Sequence, residues 1–79
     1  MYYVYVLRSV KDNTIYTGLT VNLQKRLREH REAKQGYTKG HAPYKLITYT
    51  VFSKKELARK FEEYLKSGSG RAFISRHLL

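Results

Sequence analysis

The chain has 79 residues, enough for one domain spanning 1–79, and its lack of cysteine excludes a disulfide scaffold. Sixteen Lys and Arg stand against six Asp and Glu, a formal charge of +10, which points to a polyanionic partner, nucleic acid first. No stretch is long and apolar enough to span a bilayer and no signal-peptide pattern opens the chain, so a cytoplasmic location and no membrane partner are expected.

Residues 2–8 are β-branched and aromatic and read as a strand. Tyr3, Tyr5 and Leu7 fall on one face, and Tyr2, Val4 and Val6 on the other. Apolar residues on both faces predict a central strand covered on both sides. Lys11-Asp12-Asn13 is a turn signal, and residues 14–19 read as the returning strand of a hairpin. A two-residue turn at Asp12-Asn13 would pair Lys11 with Thr14 and put Tyr5, Tyr16 and Gly18 on one face.

A helix is predicted over 22–35, with Asn22 as N-cap, Leu23 and Leu27 as a short apolar stripe and Gly36 as the stop. Arg26 and His30 stand one turn apart on its flank. Residues 36–43 form a polar loop and 44–52 a third strand. Ser53-Lys54-Lys55-Glu56 reads as a capping box opening a second helix with Leu57, Ala58, Phe61 and Leu65 inward and Glu62 at the edge of that face. Ser67-Gly68-Ser69-Gly70 is expected to end it, and 71–78 to form a short last helix with Phe73, Ile74 and Leu78 inward. The fold class is therefore α+β: a three-stranded antiparallel β-sheet flanked by helices, in the order β-β-α-β-α plus a short C-terminal helix.

Four motifs in this order resemble the GIY-YIG nucleases. Tyr3-Val4-Tyr5 and Tyr16-Thr17-Gly18 resemble the two tripeptides that name that family, with Tyr3 at its first glycine and Val4 and Thr17 at its isoleucines. Arg26-Leu27-Arg28-Glu29-His30 resembles its arginine helix, and Glu62-Glu63-Tyr64-Leu65-Lys66 the helix carrying its metal-binding glutamate. The asparagine that follows the glutamate in some members has no counterpart, since Ser-Gly-Ser-Gly occupies that region. Related catalytic domains occur in homing endonucleases, some restriction enzymes and the incision subunit of bacterial excision repair; small stand-alone bacterial proteins are the nearest in kind.

The resemblance implies a metal-dependent endonuclease that hydrolyses DNA to a 5′-phosphate and a 3′-hydroxyl, in repair, recombination or processing. It carries over Tyr5, Tyr16, Arg26, His30 and Glu62 as catalytic residues, with Glu62 also the ligand of one Mg²⁺ or Mn²⁺ ion and no small-molecule cofactor. The chemistry asks for such residue types. A hard cation keeps most of its waters and takes one or two carboxylates. A guanidinium fork suits phosphate oxygens. A tyrosine can take the proton of an attacking water where its pKa is lowered, and both Tyr5 and Tyr16 are candidates. Gly18 would let backbone approach metal or phosphate.

Lys25, Arg28, Arg31, Lys34, Lys39 and Lys45, with Gly18, are the candidate DNA-binding residues for double-stranded or branched DNA. No separate specificity module is visible, so a partner protein supplying target choice is a further expectation. Each residue also has an ordinary reading. Strand tyrosines pack, Arg26 sits on a solvated face, His30 caps or packs, Gly18 marks a bulge, and Glu62 pairs with Lys66 one turn on. The alternative function is a nucleic-acid-binding module of the same fold that does not cut.

Overall fold

The computed structural model describes residues 1–32 and 43–79. Three strands, β1 (Tyr2–Ser9), β2 (Ile15–Thr20) and β3 (Tyr44–Phe52), form an antiparallel sheet in the order β2-β1-β3. Three helices, α1 (Leu23–Arg31), α2 (Lys55–Lys66) and α3 (Gly68–His77), complete the fold. Among the described residues no helix is long and apolar enough to cross a membrane.

The central place of β1 follows from its composition. Val4 and Val6 point to one face and join Ala58 and Leu65 of α2 and Ile74 of α3 in the main core. Tyr5 and Leu7 point to the opposite face and are as fully buried. Phe61, Phe73 and Leu78 pack against the main core as expected, but Leu57 is exposed: a helix turns 100° per residue, and the stripe through Ala58, Phe61 and Leu65 leaves Leu57 on its outer side.

The hairpin differs from expectation in register but not in facing. Tyr5 pairs with Gly18 and Leu7 with Tyr16, two residues away from the register of a tight Asp12-Asn13 turn. The connection is a four-residue loop, 10–13, closed by Ser9 N–H donating to Thr14 O at 2.8 Å. Ser9 Oγ accepts from the Lys11 and Asp12 amides, and Asp12 Oδ1 from the Thr14 amide and hydroxyl. Asn13 takes the left-handed conformation that its short polar side chain tolerates, at φ 63°. A shift of two residues preserves parity, so Tyr5, Tyr16 and Gly18 still share a face.

Asn22 caps α1 as expected, its Oδ1 accepting from the Lys25 amide at 3.0 Å. The described part of α1 ends at Arg31, and the expected stop at Gly36 lies outside the described residues, as do Lys34 and Lys39. The expected capping box at Ser53 does not form: Lys54 is the N-cap of α2, without a side-chain bond. Ser67-Gly68-Ser69-Gly70 does not separate two helices by a loop. Ser67 ends α2 and at once caps α3, its Oγ accepting from the Gly70 amide at 3.1 Å. At Gly70 a side chain would run into the backbone of Tyr64 and Leu65, so glycine here permits the close turn of α3 onto the end of α2.

Candidate functional site

The sheet face opposite the main core gathers the aromatic residues singled out in the sequence. Alternation along β1 and β2 brings Tyr5 and Tyr16 to that face with ring centroids 6.2 Å apart. The α1 helix lies over them, and His30 is its single buried residue, 1 % exposed. His30 packs 5.6 Å from Tyr5, 4.9 Å from Tyr16 and 6.1 Å from Tyr44 of β3, centroid to centroid. With Leu23 and Leu27 only half-buried, His30 is the side chain that seats α1 on the sheet.

Within the cluster His30 Nε2 lies 2.8 Å from the Tyr5 hydroxyl, in a buried hydrogen bond. Burial pushes the Tyr5 phenol well above its ordinary range, with the neighbouring Tyr16 adding to the effect and Arg26 opposing it. Burial and then the Arg26 charge hold His30 below its ordinary value, against a smaller opposite pull from Glu29. Both groups are therefore neutral at pH 7. A neutral phenol donating to Nε2 puts the ring proton on Nδ1, a buried atom without a hydrogen-bond partner among the described residues.

Arg26 stands one turn before His30, half-exposed, with Nε bonded to Glu29 Oε1 at 3.2 Å. Its guanidinium also acts on the Tyr5 hydroxyl as charge and hydrogen-bond donor. Gly18, opposite Tyr5 in the ladder, has a clear role here: a Cβ would overlap the ring and hydroxyl of Tyr5. The space a missing side chain leaves is filled by Tyr5, so the expected room for metal or phosphate is not what this glycine provides. Tyr44 was missed by the sequence reading, since nothing but strand alternation marks it; it packs on both Tyr16 and His30.

Glu62 sits apart from this cluster. It lies on α2, which packs against the other sheet face, and its hydrogen-bond and ion-pair partner is Lys66, Nζ to Oε2 at 3.1 Å. The ordinary i,i+4 pairing is thus formed. Among the described residues no three of His, Cys, Asp and Glu converge on a point. A link to the tyrosines exists through shape. A cleft of about 650 Å³ between the β2 edge, the end of α2 and α3 is lined by both Tyr16 and Lys66. Of the expected DNA contacts, Lys25, Arg28 and Arg31 are exposed on α1 and Lys45 is exposed on β3.

Comparison with known proteins agrees with this architecture. A family model described as the GIY-YIG catalytic domain matches residues 1–73. The UPF0213 protein CPE1444 of Clostridium perfringens is 42% identical over 67 residues, covering 84% of this chain and 71% of its own. A UPF0213 protein of Streptococcus pyogenes serotype M3 is 41% identical over 80 residues, covering 95% and 86%. The solution NMR structure of the UPF0213 protein BH0048 from Bacillus halodurans superposes with a TM-score of 0.58 at 33% identity, covering 95% of this chain and 83% of that one.

Proposed function

Because the chain belongs to the GIY-YIG catalytic domain family, we propose that it is a divalent-metal-dependent DNA endonuclease, hydrolysing a phosphodiester to a 5′-phosphate and a 3′-hydroxyl. The observation that carries the reading is the assembly of Tyr5, Tyr16, Arg26 and His30 on one sheet face.

The two tyrosines take different parts. Tyr5 is fully buried, neutral and hydrogen-bonded to His30, so it cannot readily give up its proton to become a base. It positions its neighbours. Tyr16 is half-buried and lines the open cleft, so a water beside a bound phosphate reaches it, and Tyr16 is the general base in this reading. Arg26 keeps a half-exposed guanidinium beside the pair and binds the phosphate oxygens. His30 holds α1, and with it Arg26, against the sheet.

Glu62 is the residue that would hold a cation. One carboxylate with a shell of retained water suits a hard divalent ion, and the Lys66 ion pair marks the carboxylate as a site where positive charge is already favoured. Such an ion, when bound, supplies neutralisation of charge on the phosphate and the leaving oxygen. Lys66 must be displaced from Oε2 for it to bind. Exposed Lys25, Arg28, Arg31 and Lys45 track the phosphate backbone without reading sequence.

Nicking of plasmid and branched DNA with Mg²⁺ tests the proposal. Activity is expected to vanish with a chelator, with Glu62→Ala and with Tyr16→Phe. Cleavage surviving Glu62→Ala would sink the metal assignment. The engagement of Glu62 by Lys66 favours a second reading, a binding module of the same fold that does not cut. Salt-dependent DNA binding without Mg²⁺-dependent nicking would select it.

A further inference from the structure

The cleft beside Tyr16 has features that cutting alone does not use. Its floor is apolar, formed by Ile15 of β2, Leu65 of α2 and Ile74 of α3, the last two buried. Lys66, Arg71 and Ser75 line it and are exposed. No acidic side chain lines it. Lys66 is committed to Glu62, whereas Arg71 has no ion-pair partner among the described residues. At about 650 Å³ it falls within the roughly 300–1,000 Å³ range of clefts that bury small ligands.

A cavity with an apolar floor and a cationic, hydroxyl-bearing wall matches one chemical object on a polyanion: a nucleotide. The base and sugar need apolar contact, and the phosphate needs the guanidinium. A base still stacked and paired in a duplex shows the protein only its backbone and groove edges, so it cannot reach such a floor. We propose that this cleft is a subsite for one unstacked nucleotide of the bound DNA strand, with Arg71 holding its phosphate and Ile15, Leu65 and Ile74 receiving the base and sugar. The charge of +10 and the continuity of the cleft with Tyr16 make a DNA strand, rather than a protein segment, the occupant. The inference rests on the functional reading above in taking the partner to be DNA. It adds that the strand must be unpaired at the nucleotide next to the Tyr16 site.

Binding measured by fluorescence anisotropy in EDTA, where nothing is cut, tests it. The probes are a short single-stranded oligodeoxynucleotide, the same strand with abasic sites, and a blunt duplex. Arg71→Ala is compared with Arg59→Ala, an exposed arginine of α2 outside the cleft. Arg71→Ala is expected to weaken binding of the single strand about tenfold and of the duplex at most twofold. Arg59→Ala should affect both probes alike, and abasic sites should remove most of the single-strand affinity in the native protein. Equal loss on single strand and duplex in Arg71→Ala would reduce Arg71 to an ordinary phosphate contact and overturn the proposal. Abasic and normal strands binding equally well would overturn it too. Neither readout depends on cutting. Failure of the nuclease proposal, seen as absent nicking or nicking that survives Glu62→Ala, is therefore distinguishable from failure of the nucleotide subsite.

Discussion

At the scale of single residues, the two motif tyrosines divide by burial. Tyr5 is held neutral in the sheet, while Tyr16 faces the cleft. Tyr16→Phe is expected to lower the nicking rate at least 100-fold while leaving thermal stability nearly unchanged, since only a hydroxyl is lost. Tyr5→Phe should cost stability by leaving His30 Nε2 buried without its partner, about 1–3 kcal/mol in urea unfolding. The sequence alone offered both tyrosines equally, because burial arises from which element lies over each ring. His30 makes a pH prediction. Its native pKa is depressed below the ordinary 6.5, so the unfolded chain binds the proton more readily. Its contribution is fully present above pH 6.5 and is lost as the pH falls from there toward the lowered native value. The melting temperature of the native protein should drop more between pH 7.5 and 5 than that of His30→Gln, measured by circular dichroism. Equal drops would remove His30 as the cause. Lys66→Met should tighten Mn²⁺ binding in calorimetry by freeing Glu62, and Glu62→Gln should abolish it.

At the scale of elements, the junction of α2 and α3 depends on Ser67 and Gly70. The Ser67 cap satisfies one orphan amide, and Ser67→Ala should cost about 1 kcal/mol. Gly70→Ala should cost more, about 3 kcal/mol, because a Cβ there meets backbone that cannot turn aside as a flexible side chain would. Urea unfolding of the two variants ranks them, and a milder effect for Gly70→Ala would show that α3 can move away from α2. The Ser-Gly-Ser-Gly tract reads locally as a helix breaker, since glycine lacks helix propensity. Packing of Ile74 and Phe73 on the core overrides that propensity and draws the tract into the first turn of α3. The same override removed the capping box at Ser53: β3 continues through Phe52, and α2 starts only after Lys54.

For the whole molecule, the charge of +10 sets the terms of partnership. DNA binding should weaken steeply with salt, and each of Lys25, Arg28, Arg31 and Lys45 that touches a phosphate should contribute about 0.9 to the slope of log affinity against log salt. Arg28→Ala should lower that slope by about 0.9 with no change in sequence preference, measured by anisotropy across a salt series. Much of this protein was legible in the sequence. The fold class, the central strand, the capped α1 and the shared face of Tyr5, Tyr16 and Gly18 all follow from periodicity and local chemistry, because a period of two or 3.6 residues assigns side chains to faces wherever the chain runs. Even the misplaced hairpin loop preserved those faces, since a slip of two residues keeps parity. Other features required the third dimension. Gly18 makes room for Tyr5, Tyr44 completes the cluster, Glu62 is tied to Lys66 on the far helix, and Arg71 is brought to a cleft beside Tyr16. These depend on distances between residues far apart in the chain, which only the packing of helices on the two sides of the sheet decides.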